Sequence, residues 1–320
     1  MKFFNIDCHV SVIADMKNIF ERLGHSVTHW SLSGHKWVFG LSGCPSNIIT
    51  EFNWKSINEE MVNAFYKEHK NELDQYDVFL CCYPPIFLKL FEKFNKPIIV
   101  VAATRYDFPV ASDPKRLAWL EDSLVNNKNL VLVANNAFDK AYCEKFMPTT
   151  NWEHIPSLCD YTKEKYNPTK KEKVLFSKFN INTDNSLIHQ SILGRYTWKD
   201  LYSYSGIVHF PYNVSTMSMF EQYQAGVPLF LPNLTTALTM INNHNIPLFS
   251  EIVFPNRNPE RQANQFLNKK WLKLSDFYNN TLNVNYFDNN FDFSINPKKT
   301  NSNKDSIFER WSKILERIKQ

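Results

Sequence analysis

Glycine is scarce in this chain, with seven glycines among 320 residues. Neither the GxGxxG pattern of dinucleotide-binding folds nor the P-loop pattern of ATPases occurs. In both patterns the glycines let the backbone turn tightly against a pyrophosphate. Their absence argues against the common dinucleotide and ATP sites.

Cysteine and histidine show no metal-binding spacing. The six cysteines form no CxxC pair or zinc pattern, and the nine histidines form no HExxH motif. We therefore expect no metal site. We expect most of the cysteines to be buried thiols of a protein in a reducing compartment.

Long apolar runs and a strong charge imbalance are also missing. No run approaches the length of a membrane span, and the first residues, MKFFNIDCH, lack the apolar core of a signal peptide. The net charge of +4 is too small to indicate nucleic-acid binding by itself. These features predict a cytoplasmic protein without a transmembrane segment.

The chain is long enough for two domains, and its first half alternates apolar strands with helices. Continuous apolar strands of this kind predict a parallel sheet covered on both faces. A helix carrying Phe87, Leu90, Phe91 and Phe94 is expected between two of them. The predicted strands are residues 3–6, 26–30, 77–83, 97–103 and 130–134.

The second half repeats this alternation with predicted strands at residues 173–177, 207–210 and 227–231. Thr197 and Asp200 have the spacing of a capping box. The apolar spacing at the end of the chain predicts an amphipathic helix. We therefore predict an α/β protein with two Rossmann-like domains, residues 1–152 and 153–300, whose parallel sheets face each other across a cleft. Residues 301–320 are expected to pack back on the first domain.

The segment 207–232, IVHFPYNVSTMSMFEQYQAGVPLFLP, is the most informative part of the chain. It is typical of a strand, a polar turn, a helix and a second strand, and the start of such a helix attracts anions. Glu221 lies inside the helix, where it could accept hydrogen bonds from a ribose diol. An ordinary βαβ unit with a surface glutamate is the alternative. The candidate helix caps are Asn213, Ser215 and Thr216.

These motifs resemble those of GT-B glycosyltransferases. The resemblance rests on PYNVSTMSMFEQYQAGVPLFLP, on NIDCHVSV at the end of the first strand, and on the terminal helix. It implies a nucleoside-diphosphate-sugar donor held by the second domain and metal-independent catalysis without a cofactor. The E-x7-E form and the Gly-rich first loop of many such enzymes are absent. The exact family and the choice between retention and inversion therefore stay open, and the sequence does not distinguish UDP from GDP.

For the donor, basic and hydroxyl side chains near strand ends are the candidates. Lys178 follows the strand 173–177, and Arg195 is the second basic candidate; for each, a solvated surface charge is the alternative. Ser215 and Thr216 suit the pyrophosphate, and Tyr212 could wall the pocket.

For catalysis and the acceptor, two strand ends of the first domain supply candidates. His9 could act as the general base and Asp7 could orient its ring; a local polar cluster before the first helix is the alternative. Arg105 and Asp107 follow the strand 97–103 and are candidates for acceptor binding, with a surface Arg–Asp pair as the alternative.

The predicted function is transfer of a sugar from a nucleotide donor to a glycan, lipid-linked or small-molecule acceptor. A glucosyltransferase acting on DNA bases, which would make nucleic acid a partner, and a nucleotide-sugar epimerase keep the same fold. A nucleotide- or sugar-binding protein is the non-enzymatic alternative.

Overall fold

The computed structural model describes residues 1–179, 187–244, 246–279, 284–288, 290, 292–293 and 303–319. The chain forms two compact units. Unit 1 comprises Met1–Ser157, Phe254–Arg257 and Lys304–Gln320, and unit 2 comprises Leu158–Val253 and Asn258–Asn303. Sequence reasoning placed the boundary after residue 152, whereas the structure divides the chain after Ser157.

Unit 1 contains a six-stranded sheet in which all neighbouring strands are parallel. Its central strands are apolar and buried on both faces, as expected for a sheet covered by helices. The strands are β1 (Lys2–Asp7), β2 (Ser26–Ser31), β3 (Val78–Cys81), β4 (Ile98–Ala102), β5 (Leu130–Ala134) and β6 (Glu153–His154). Their order in the sheet is β2-β1-β3-β4-β5-β6.

Side-chain caps begin several helices of unit 1. Asn58 accepts the N–H of Met61, and Asp113 accepts the N–H groups of Lys115 and Arg116. The helices are α1 (Val10–Arg22), α2 (Glu59–Leu73), α3 (Pro114–Asn126) and α4 (Ala137–Phe146).

The helix expected around Phe87 to Phe94 is wrong in type. Two short 3-10 helices, Pro85–Leu90 and Glu92–Phe94, replace it. The first is buried along its whole length, so it has no polar face to expose as an amphipathic α-helix would.

Unit 2 contains a separate five-stranded parallel sheet in the order β11-β10-β9-β7-β8. Two parallel sheets with alternating helices confirm the predicted pair of Rossmann-like α/β folds; the cleft between them stays a prediction. The strands are β7 (Lys173–Phe176), β8 (Leu187–His189), β9 (Gly206–His209), β10 (Leu229–Pro232) and β11 (Asn285–Phe287).

One helix of unit 2 begins at the predicted capping box, and another ends at a glycine. Thr197 and Asp200 form the predicted capping box, and Gly226 ends its helix in the left-handed region at φ 87°. The helices are α5 (Trp198–Leu201), α6 (Met217–Ala225), α7 (Leu234–His244) and α8 (Lys269–Leu272).

The last helix, α9 (Lys304–Lys319), packs on unit 1. Trp311 contacts Phe20 edge-on at a centroid distance of 5.1 Å, and Arg310 donates to the carbonyl of His154 at 2.9 Å. Over the described ranges, no helix combines the length and apolarity that crossing a membrane requires.

Candidate functional site

A cavity of about 150 Å³ lies at the carboxyl ends of β7 and β9 in unit 2. The two strands are paired so that Phe176 is opposite His209, which brings the residues after both strands to one edge of the sheet. The start of α6 completes the wall. The polar lining residues are Ser177, Lys178, Gln190, His209, Tyr212, Thr216 and Ser218, and the apolar ones are Phe176, Phe210, Pro211 and Phe277.

The start of α6 has no side-chain cap. Thr216 is the N-cap residue, but its hydroxyl makes no capping bond. Its Oγ1 is buried without a hydrogen-bond partner among the described residues. Asn213, another predicted cap, instead accepts the N–H of its neighbour Val214 at 2.7 Å. An uncapped helix start with a buried hydroxyl suits an anionic ligand.

Lys178 supplies a positive charge to this edge. Its ammonium lies 3.8 Å from the ring centroid of Tyr212 and forms an ion pair with Glu251. Burial and the nearby Glu251 raise the pKa of Tyr212, so its hydroxyl stays protonated at neutral pH. The sequence prediction thus found three residues, Lys178, Tyr212 and Thr216, that the structure brings together.

Three other predicted donor residues do not line this cavity: Arg195, Ser215 and Glu221. Arg195 is exposed in the loop before α5. The Glu221 carboxylate is buried and accepts hydrogen bonds from the hydroxyl of Tyr161 and from Nε1 of Trp198, the latter at 3.2 Å. Its contact with a ribose stays a prediction.

His209 is a cavity residue that sequence reasoning missed. It is the last residue of β9, and its Nε2 lies 2.5 Å from Oε1 of Gln222. Burial lowers the pKa of His209 to about 4, so its ring is neutral at pH 7. Its position at a strand end is the signal that could have found it, because the same reasoning selected His9.

In unit 1, Asp7 holds the backbone of two loops. Its Oδ1 accepts the N–H of His9 at 2.9 Å and its Oδ2 accepts the N–H of Tyr83 at 2.8 Å. Burial raises the pKa of Asp7 to about 7 despite these two bonds. Both carboxylate oxygens of Asp7 therefore accept backbone N–H groups, whereas the sequence analysis expected Asp7 to orient the His9 ring.

The His9 ring itself is largely enclosed. Its Nδ1 is buried and has no hydrogen-bond partner within the described ranges. Burial lowers the pKa of His9 to about 4, which leaves a neutral imidazole at the carboxyl edge of the unit 1 sheet. The catalytic role of His9 stays a prediction.

Arg105 and Asp107 lie inside unit 1, and this corrects the expected acceptor contact. Each is 1% exposed. Nε of Arg105 is 3.4 Å from Oδ1 of Asp139, and the hydroxyl of Tyr142 donates to Asp107 at 2.8 Å. The pair is neither an exposed acceptor site nor the surface Arg–Asp pair considered as the alternative.

In the part of the chain that the structure describes, no group of three or more His, Cys, Asp or Glu side chains could hold a metal ion. The unit 2 edge presents one ammonium group, an imidazole, a side-chain amide, hydroxyl groups and the start of α6.

No protein-family model and no curated protein matches the chain. Solved structures that are similar to it include the following two. A UDP co-structure of MnaA from S. aureus is 12% identical, with a TM-score of 0.44, and the match covers 81% of this chain and 93% of that one. The apo form of the lipopolysaccharide outer core galactosyltransferase WaaB is 12% identical, with a TM-score of 0.40 and coverage of 87% and 96%.

Proposed function

We propose that this protein is a glycosyltransferase that moves a sugar from a nucleoside-diphosphate sugar to a hydroxyl acceptor. The observation that carries the proposal is the unit 2 cavity, where Lys178 and Thr216 meet the uncapped start of α6.

The cavity offers what a departing nucleoside diphosphate needs. Negative charge builds on the leaving group as the glycosidic bond breaks, and fixed donors aimed at that charge stabilise the transition state. The Lys178 ammonium, the Thr216 hydroxyl and the α6 amides supply such donors, while the Tyr212 ring walls the pocket.

We assign deprotonation of the acceptor to His9 in an inverting reaction. The acceptor oxygen attacks the anomeric carbon, its proton passes to the neutral imidazole, and the bond from that carbon to the diphosphate breaks. Burial keeps the His9 ring neutral, which is the form that can accept a proton. Asp7 fixes the loop that carries the ring.

Thermal-shift and turnover measurements test the proposal. UDP, GDP or one of their sugars should stabilise the protein, by about 2.7 kcal/mol at a concentration of 100 Kd. Replacing Lys178 with Met should weaken binding about tenfold or more, because a charge-assisted contact with phosphate is lost. Hydrolysis of the bound donor then distinguishes an enzyme from a binding protein.

Lys273→Met is the matched control, because Lys273 is exposed in unit 2 and does not line the cavity. It should bind nucleotide as the wild type does. Wild-type affinity in Lys178→Met would contradict the proposed site.

A further inference from the structure

The segment after α7 places a carboxylate at the cavity edge. The N–H of Phe249 donates to the carbonyl of Pro211, and the N–H of Glu251 donates to the carbonyl of Tyr212, each at 2.8 Å. These two main-chain bonds fix Glu251 beside the turn that lines the cavity. The backbone therefore holds the Cα of Glu251 near Lys178 independently of the ion pair.

Glu251 neutralises the cavity's own cation. Its carboxylate forms the ion pair with Lys178, whose ammonium also lies over the Tyr212 ring. Among the described residues that line the cavity, Lys178 is the one with a full positive charge at pH 7, since His209 is neutral. Without an anionic ligand, the positive charge of the site is thus already paired.

We propose that Glu251 masks Lys178 and must be displaced by the phosphates of the ligand. This inference rests on the proposed function and adds an internal competitor for Lys178 to the same site. A monophosphate that displaces the carboxylate has few oxygens left for other contacts. A diphosphate, with more charge and more acceptor oxygens, can exchange with it and also reach Thr216 and the α6 amides.

The exposure of the pair makes such an exchange feasible. Both side chains are 45% exposed. Water and salt screen ion pairs at this exposure. The Lys178–Glu251 pair is therefore weak enough to open when a phosphate group binds Lys178. Because the same ion pair must open for each ligand, the carboxylate lowers the affinity for every phosphate ligand by a similar small factor.

Isothermal titration of Glu251→Gln with UDP, GDP, the corresponding monophosphates and inorganic pyrophosphate tests the masking. Glutamine keeps the length and removes the charge. We expect diphosphates and monophosphates alike to bind about threefold to fivefold tighter than to the wild type. Glu260→Gln, an exposed change elsewhere in unit 2, should leave all affinities unchanged.

The double variant Lys178→Met with Glu251→Gln shows whether the carboxylate acts through the lysine. Masking predicts that Glu251→Gln gives no gain once Lys178 is absent. An equal gain in both backgrounds would indicate a general charge effect and overturn the inference. Weaker or unchanged binding in Glu251→Gln alone would also overturn it, since the carboxylate would then orient Lys178 or do nothing.

The same titrations separate this inference from the proposed function. Wild type that binds diphosphates while Glu251→Gln binds no tighter refutes the masking alone. Wild type that binds no nucleotide while Glu251→Gln binds pyrophosphate refutes the donor assignment and supports the masking. Absence of binding to every variant refutes both.

Discussion

Two histidines at strand ends, His9 and His209, both have a pKa that is lowered by burial. His9 follows β1 in unit 1, and His209 ends β9 in unit 2. Burial lowers the pKa of each to about 4, because the protein interior disfavours the charged ring. Both rings are consequently neutral across the physiological range, where His9 can accept a proton and His209 adds no charge to the cavity.

The depressed pKa of His9 predicts the acid side of the pH profile. A base with an ordinary pKa of about 6.5 would lose activity tenfold per pH unit below that value. His9 should stay neutral until the pH approaches its pKa of about 4. We expect kcat/KM to show no His9-dependent decline between pH 6.5 and 5, and His9→Ala to lose turnover but keep nucleotide affinity.

The measurement is kcat/KM against pH for the wild type, with nucleotide titration of the variant. An acid limb near pH 6.5 that disappears in His9→Gln would contradict the depressed pKa. Full turnover in His9→Ala would exclude His9 as the base.

At the scale of elements, the pairing of β9 with β10 positions the cavity residues that follow β9. Gly206 begins β9 under the ring of Phe230. A Cβ at this position would lie 2.8 Å from Cε2 of Phe230 and 3.0 Å from the carbonyl oxygen of Pro228. The backbone oxygen cannot move freely, so the close approach of these strands requires glycine.

Gly206→Ala should therefore reduce the free energy of unfolding by about 1–3 kcal/mol, as overpacking does. Denaturant unfolding measures the loss. Gly34→Ala is the control, because a Cβ there meets nothing within 4 Å. Equal stability of the two variants would show that β9 and β10 can separate at low cost.

At the scale of the whole molecule, neither unit is formed by one continuous stretch of the chain. Helix α9 comes directly after unit 2 in sequence, yet it belongs to unit 1, where Ile307, Trp311, Ile314 and Leu315 are buried. Unit 1 is therefore complete only when the last residues of the chain have been added to it.

Trp311→Ala should destabilise unit 1 by about 3–5 kcal/mol, because a buried aromatic side chain is removed. Hydrogen exchange should show faster exchange in β1 and α1 and unchanged exchange in β9 and α6. Glu316→Ala, on the exposed face of α9, should change neither the stability nor the hydrogen exchange of unit 1. Loss of protection confined to unit 2 would contradict the assignment of the helix.

Sequence by itself determined the α/β alternation, the capping box that begins α5 and the grouping of Lys178, Tyr212 and Thr216. It could do so because apolar periodicity and capping are local, and because parallel strands bring their carboxyl ends to one edge. The burial of Arg105 against Asp139 was decided by tertiary structure. So was the pairing of Lys178 with Glu251, 73 residues further along the chain. Partners so distant in sequence are selected by the packing of separate elements, which no local pattern encodes.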